Sequence, residues 1–320
     1  MPRPRLTASY PLGHVRRDCC LTGLPQLASI LFVTVVLLAH GAPAQTAVMD
    51  GDSPVARGEY IFHAAGCLSC HTDERNKGEP LAGGRALKTP FGIFYTPNIT
   101  PDPVHGIGKW SDADFQRALR QGLMPSGAHL YPALPYTAYT KMTDQDIADL
   151  KAYIFAQPAV AKPNKPHDVG FPFNIRAGLA LWNLLNFKPG ALAPDPAHDA
   201  QWHRGRYLVE ALGHCAECHT ERNVIGGLKT SRWMAGTPKG LDGDATPNLT
   251  PHPDTGIGKW SVKDIVFMLK TGDIPDGDSL SAAMADVVEH STSKLRDDDL
   301  AAIVAYLKSL PPIADPPKPQ

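Results

Sequence analysis

The sequence has 320 residues, which is enough for about two domains of ordinary size. Its 31 lysine and arginine residues are balanced by 32 aspartate and glutamate residues, and the net charge of −1 excludes a broadly basic nucleic-acid-binding protein. Hydrophobic residues make up 43% of the chain, which excludes disorder throughout. The 31 prolines are nearly twice the roughly 5% that is usual, and they predict short helices, long irregular connections and few strands.

The N-terminal segment at 1–44 has the pattern of a secretory signal peptide. Four arginines precede a short apolar run at 30–39, and Ala42-Pro43-Ala44 forms a small-x-small cleavage site. The apolar run is shorter than the about 20 residues of a membrane-spanning helix, although an uncleaved N-terminal anchor is the alternative. We therefore predict export to the periplasm, with the mature chain soluble there or peripheral to the inner membrane.

The mature chain is a duplication of a segment of roughly 100 residues. Each copy has a helical segment that leads into C-x-x-C-H-T, a TPN-to-GIGKWS loop, a helical pattern and a final helix. These segments lie at 57–72, 96–111, 112–122 and 143–157 in the first copy and at 204–220, 246–261, 262–272 and 296–310 in the second. The predicted organisation is domain 1 at 45–157, a linker at 158–200, domain 2 at 201–313 and a tail at 314–320.

The linker is rich in proline and contains one apolar segment. Its prolines predict a semi-rigid spacer, and the segment at 176–188 predicts a short helix in which 181, 184, 185 and 188 share one face. This face either covers the seam between the two domains, as most apolar helix faces do, or belongs to a docking surface. In the second case Trp182 and Phe187 stay exposed and contact a partner or a membrane.

Two C-x-x-C-H motifs point to the chemistry of the protein, because this pattern is the attachment signature of c-type haem. Two cysteines three positions apart can each form a thioether with one vinyl group of a porphyrin, and the next residue, histidine, can then bind the iron. The residues concerned are Cys67, Cys70 and His71 in the first copy and Cys215, Cys218 and His219 in the second.

Other interpretations of the cysteines fit the pattern less well. A thioredoxin-like pair follows a strand and needs no histidine. A four-cysteine zinc site needs both pairs in one place, whereas each pair lies in its own repeat. Two structural disulfides leave both histidines unexplained.

Beyond the motifs, each copy has a GIGKWS loop and a final helix that carries Tyr153 or Tyr306. Over nearly the whole mature chain this order resembles two class I cytochrome c domains in tandem. It is similar, more narrowly, to the cytochrome c subunits of periplasmic membrane-bound dehydrogenases that oxidise alcohols, gluconate or related sugars. Those subunits typically carry three haem domains and often a C-terminal membrane helix, whereas this sequence has two copies and ends in PPKPQ.

The resemblance implies an all-α fold of two tandem class I cytochrome c domains with long irregular loops. It implies two covalently bound haem c groups and an electron carrier without catalytic residues of its own. The expected donor is a periplasmic dehydrogenase, and the expected acceptor is a respiratory-chain oxidase, another cytochrome or a quinone. No nucleic-acid partner is expected, and peripheral membrane association is a further expectation.

The sixth iron ligands are expected to be methionines, as in cytochromes that carry electrons at high potential. The second copy has Met284, eleven residues before Leu295. The first copy has Leu134 near the equivalent place, where many relatives carry methionine, and Met142 where the second copy has Leu295. The predicted iron ligands are therefore His71 with Met142 and His219 with Met284, and Met124 and His129 are alternatives for the first iron. Met142 also has a packing role open to it, as the residue before a helix cap.

An enzyme is the alternative to an electron carrier. A dihaem peroxidase or a thiosulfate dehydrogenase-like protein would have one open or unusually ligated haem. Leu134 keeps this interpretation open.

Four tyrosines are predicted to be structural. Tyr60 and Tyr207 lie on the first helices, and Tyr153 and Tyr306 lie on the last. We expect them to form the packing contact between the first and last helix of each domain.

Overall fold

A computed structural model describes residues 53–240, 243, 245–274, 277, 279–280 and 282–314. The predicted signal peptide and nearly all of the predicted tail lie outside the described residues. The described part of the chain is mostly helical, and it contains no helix long and apolar enough to cross a membrane.

The helices that the repeat pattern predicts are present, and each repeat has one further helix in the loop before its final helix. The first repeat contains α1 (Pro54–Ala64), α2 (Cys67–His71), α3 (Asp112–Gln121), α4 (Tyr136–Tyr139) and α5 (Asp144–Phe155). The linker contains α6 (Gly178–Asn186). The second repeat contains α7 (Ala200–Tyr207), α8 (Ala216–His219), α9 (Val262–Thr271), α10 (Ala282–His290) and α11 (Asp297–Ser309). A π-helical turn, Leu208–Leu212, continues α7, and short 3₁₀ turns lie at Glu74–Asn76, Thr230–Arg232 and Thr292–Lys294.

Local sequence explains where α3 and α9 begin and end. The Ser111 hydroxyl accepts a hydrogen bond from the Asp114 amide, and the Asp114 carboxylate accepts one from the Ser111 amide. The same capping box begins α9. Gly122 and Gly272 end these helices with φ values of 63° and 86°, a left-handed conformation that glycine adopts without strain.

The first and last helices of each repeat cross at a glycine. A Cβ atom at Gly58 would lie 1.9 Å from the Asp149 carbonyl oxygen, and one at Gly205 would lie 1.9 Å from the Ala302 carbonyl oxygen. Only glycine permits such close backbone contact between α1 and α5 and between α7 and α11. Each crossing fixes the C-terminal end of the first helix, from which the C-x-x-C-H motif follows.

A small sheet corrects the expectation of an all-α fold. Strands β1 (Ala86–Thr89), β2 (Gly92–Tyr95) and β3 (Asp168–Val169) form an antiparallel sheet in the order β1-β2-β3. Because β3 belongs to the linker, the sheet ties the linker to the first repeat. Phe94 of β2 packs with Tyr131 and with Leu179 of α6 in a separate hydrophobic cluster.

The linker helix α6 bridges the two repeats, but not through the predicted face. Leu181, Leu184 and Leu185 are 60%, 80% and 65% exposed, so the leucine face does not cover the seam. The opposite side makes the contacts. Leu179 packs on the first repeat, and the Trp182 indole donates a hydrogen bond of 2.8 Å to the carbonyl of Ile225 in the second.

Trp182 and Phe187, the two candidate docking anchors, are both partly buried. Trp182 is half-buried, and the ring of Phe187 lies 5.2 Å from that of Tyr136, edge to face. The alternative in which Trp182 and Phe187 stay exposed as docking anchors is therefore not supported.

The two repeats share one hydrophobic core. The Tyr60 hydroxyl donates a hydrogen bond of 2.5 Å to the Asp299 carboxylate of the second repeat, and the Tyr207 hydroxyl donates one to the Asp146 carboxylate of the first. Tyr60 and Tyr207 thus also join the two repeats, beyond the predicted helix contact within each domain. Tyr153 does lie at the predicted crossing, with its Cβ 2.8 Å from a Cβ placed at Gly58.

Candidate haem sites

Each motif histidine has one ring nitrogen fixed and the other free. Nδ1 of His71 lies 2.8 Å from the carbonyl oxygen of Pro97, and Nδ1 of His219 lies 2.8 Å from that of Pro247. A carbonyl oxygen only accepts, so Nδ1 carries the proton and Nε2 keeps a lone pair for a metal. Burial lowers the pKa of both histidines, which favours the neutral ring that binds iron.

Buried asparagines hold the turns that carry these proline carbonyls. Asn98 Oδ1 accepts hydrogen bonds from the amide and the hydroxyl of Thr100, at 2.9 and 2.7 Å. Its Nδ2 donates to the Val160 carbonyl at 2.8 Å. Asn248 repeats the arrangement, with its Nδ2 at 2.7 Å from the Ile313 carbonyl. The TPN triplet thus fixes the acceptor of each histidine.

A glycine completes each turn from the other side. The Gly83 amide donates to the His71 carbonyl at 2.8 Å, and the Gly236 amide donates to the His219 carbonyl at 2.9 Å. Both glycines have positive φ, 66° and 74°. A Cβ atom at Gly83 would lie 2.4 Å from the carbonyl carbon of Pro97, so a side chain there would displace the histidine's acceptor.

The four motif cysteines are half-buried, and none of them forms a disulfide. Burial raises the pKa of Cys67 and of Cys215 to about 12, and burial also raises the pKa of Cys70. This donor set of two sulfur atoms and one neutral imidazole per repeat fits haem c.

The second motif contacts the first repeat at the interface of the repeats. Burial and then the charge of Glu217 raise the pKa of Cys218 to about 11, and Cys70 of the other motif adds to the shift. Thr137 of the first repeat donates a hydrogen bond of 2.7 Å to the Glu217 carboxylate. The Tyr139 hydroxyl donates one of 2.9 Å to the Ala65 carbonyl, directly before the first motif.

An arginine that the sequence analysis missed links the first motif to the second repeat. Arg85 donates to the Ser69 carbonyl inside the first motif, and its other terminal nitrogen lies 2.8 Å from the Asp286 carboxylate on α10. His290 at the end of α10 lies 3.2 Å from the Glu74 carboxylate. Helix α10 carries Met284, so side chains of the first repeat help to hold the helix with the predicted ligand of the second.

The methionines predicted as iron ligands occupy different surroundings. Met284 is half-buried against the core, in the first half of α10. Met142 is 1% exposed within the core and directly precedes Thr143, the N-cap residue of α5. Leu134 is half-buried against the same core, and Met124 is half-buried. The ligand roles of Met142 and Met284 stay predictions.

Comparison with known proteins identifies the family. The cytochrome c family model matches residues 55–156 and 202–311, one match in each repeat. A dihaem cytochrome c-type protein of Cereibacter sphaeroides is 48% identical over 81% of this chain and 86% of its own length. The chain belongs to the cytochrome c family. It is a dihaem electron-transfer cytochrome with two covalently bound haem c groups.

Other relatives are subunits of larger enzymes. The fructose dehydrogenase cytochrome subunit of Gluconobacter japonicus is 41% identical over 90% of this chain. The gluconate 2-dehydrogenase cytochrome c subunit of Pantoea cypripedii is 40% identical over 89% of it. This cytochrome spans 60% and 65% of the length of those two relatives.

Proposed function

We propose that this protein is exported to the periplasm and carries electrons from a dehydrogenase to the respiratory chain. Its proposed organisation is a signal peptide at 1–44, class I cytochrome c domains at 45–157 and 201–313, and a Pro-rich linker at 158–200. The observation that carries the proposal is the matched pair of hydrogen bonds from histidine Nδ1 to a proline carbonyl, each made by a histidine that directly follows the two cysteines of its motif.

The haem-binding residues are assigned from that geometry. Cys67 and Cys70 hold the first haem and Cys215 and Cys218 the second, each through two thioethers, and His71 and His219 are the iron ligands. Met284 is the proposed sixth ligand in the second repeat. The Met142 assignment in the first repeat stays a prediction, which the Met142→Leu variant tests.

Haem c supplies a one-electron iron couple when bound. The chain's own residues fix where that couple sits. Pro97 and Pro247 hold the orientation of the two imidazoles. Because the two repeats share one core and the second motif contacts the first repeat through Glu217 and Thr137, the proposed electron path runs from one repeat to the other.

The donor class follows from the relatives. Cytochrome subunits of a fructose dehydrogenase and a gluconate dehydrogenase are 41% and 40% identical to this chain. A periplasmic dehydrogenase of that kind is therefore the proposed donor. An oxidase, another cytochrome or a quinone is the proposed acceptor, and peripheral association with the inner membrane fits such a route.

Reduction by a dehydrogenase tests this proposal. Oxidised holoprotein is added to membranes from the native host that lack this chain, and haem absorbance is followed after addition of ethanol, gluconate or fructose. We expect one of these substrates to reduce both haems. Reduction by dithionite alone, with every substrate inactive, would contradict the proposal.

A dihaem enzyme with one open iron is the second candidate, because Leu134 has no donor atom. Peroxide-dependent oxidation of the reduced protein at a catalytic rate would favour this candidate over the carrier.

A further inference from the structure

The loop before the final helix has the same hydrogen bonds in both repeats, at a constant separation of 150 positions. The Leu130 amide donates to the Gly122 carbonyl at 2.7 Å, and the Leu280 amide donates to the Gly272 carbonyl at 3.0 Å. The two loops therefore begin and turn back at equivalent residues. Four positions after these leucines come Leu134 and Met284.

A second pair of contacts confirms this alignment within the loop. Leu123 forms an isolated antiparallel bridge with His129, and Asp273 forms the same bridge with Ser279. The loops contain no insertion between these positions. Leu134 and Met284 therefore stand at the same distance along the chain from these shared contacts, and both are half-buried against the core, although Leu134 precedes α4 and Met284 lies within α10.

Contacts at the start of the final helix pair Met142 with Leu295 and not with Met284. Arg120 on α3 donates to the Met142 carbonyl at 2.6 Å, and Lys270 at the same position on α9 donates to the Leu295 carbonyl at 2.8 Å. Met142 and Leu295 are 1% and 3% exposed. A leucine cannot bind iron, so the second repeat uses this position for packing alone.

The remaining candidates in the first repeat have other surroundings. Met124 corresponds to Ile274. The Gly127 amide donates to the Met124 carbonyl at 2.9 Å, and the Gly277 amide donates to the Ile274 carbonyl at 3.0 Å. The ring nitrogen Nδ1 of His129 lies 3.3 Å from the side-chain amide of Asn183 on α6.

We infer that the first haem iron has a sixth position open to a small external ligand, whereas Met284 closes the second. The inference rests on the proposed attachment of one haem to each motif. Leu134 has no donor atom, so a small neutral diatomic molecule is the class of external ligand expected at the open ferrous iron. Carbon monoxide is the probe of this class.

The test is the stoichiometry of carbon monoxide binding to the reduced holoprotein, together with the near-infrared methionine–iron band of the oxidised protein. We expect one carbon monoxide per two haems and a band from one haem. Leu134→Met should abolish carbon monoxide binding and about double the band. Met284→Leu should raise binding to two per chain and remove the band.

Met142→Leu decides between this inference and the Met142 assignment. The second repeat already has a leucine, Leu295, at the equivalent position, so the core should tolerate leucine at position 142. We expect the carbon monoxide stoichiometry and the band of Met142→Leu to equal those of the parent protein. Met268→Leu, which changes a buried methionine on α9, is the matched control for the packing change.

Two results would overturn the inference. One is a parent protein that carries two covalent haems and binds no carbon monoxide. The other is a Met142→Leu variant that gains one carbon monoxide and loses half of the band. Both results leave the proposed function intact, whereas a purified chain without two covalent haems contradicts the proposed function itself. Should Leu134→Met fail to fold, the parent protein and Met142→Leu still decide the question.

Discussion

The hydroxyl of Tyr60 in the first repeat donates a hydrogen bond of 2.5 Å to the carboxylate of Asp299 in the second. Tyr207 and Asp146 form the reverse pair. Each repeat thus gives one tyrosine and one aspartate to its neighbour, which is the arrangement expected for a self-complementary interface between two copies of one fold. This exchange joins the two haem-binding repeats into one packed unit.

Removing the Tyr60 hydroxyl should destabilise the protein through the interface. Tyr60→Phe leaves the Asp299 carboxylate with its two hydrogen bonds from Arg204, at 2.7 and 2.8 Å, but without its bond from the other repeat. We expect the free energy of unfolding to fall by about 1–3 kcal/mol, as for other hydrogen bonds to a charged group. Urea denaturation of the holoprotein measures the change. A Tyr95→Phe variant, changed outside the interface, is the control, and equal stability of both variants would contradict the role of Tyr60.

The stability that Asp299 provides should depend on pH. Burial opposes its ionisation, but the hydrogen bonds and charge of Arg204 outweigh burial and hold the pKa of Asp299 below its usual value. Its contribution is therefore present above the ordinary aspartate pKa and is lost as the pH falls through the lowered value. Asp299→Asn should cost roughly 3 kcal/mol at pH 7. The difference from the parent protein should shrink below about pH 4, and a difference that stays constant down to pH 3 would contradict this account.

Breaking the Arg85–Asp286 ion pair should affect the second haem although Arg85 belongs to the first repeat. Arg85→Gln removes the charge that holds α10, the helix of Met284, to the first motif. We expect a weaker near-infrared methionine band, a lower reduction potential of the second haem and an increase in its reactivity with carbon monoxide. Arg117→Gln is the matched control, because Arg117 pairs only locally with Asp114. If both variants have the same spectrum and potentials as the parent protein, Arg85 does not position α10.

The two sides of α6 should respond differently to substitution. Trp182→Ala removes packing between the repeats and the bond to the Ile225 carbonyl, so the melting temperature should fall by several degrees. Leu184→Ser changes a side chain that is 80% exposed and should leave the melting temperature nearly unchanged. Thermal unfolding of both variants tests this, and equal losses would contradict the observed orientation of the helix.

Much of the fold could be predicted because the chain repeats itself. Motif spacing and periodicity predicted the helices around both C-x-x-C-H motifs, and α3 and α9 are each bounded by a capping box and a glycine that the sequence shows. The Tyr60–Asp299 contact could not be predicted, because helical periodicity indicates that a side chain faces inward but not which repeat it meets.

The contacts of Arg85 and α6 were missed for related reasons. Arg85 and Asp286 are separated by 201 positions, and neither belongs to a motif. The leucines of α6 were interpreted as the buried face because they are apolar. The linker is instead positioned by Leu179, Trp182 and Asn183, whose pattern mixes apolar and polar residues.

The central claim is that each repeat binds one haem through its own C-x-x-C-H motif. The most direct measurement is the mass of the denatured chain after expression with a cytochrome c maturation system and extraction with acid–acetone. We predict two haem groups for the parent protein, and one each for the variants Cys67→Ala/Cys70→Ala and Cys215→Ala/Cys218→Ala. A parent chain that loses its colour on extraction and has the mass of the polypeptide alone would contradict the account.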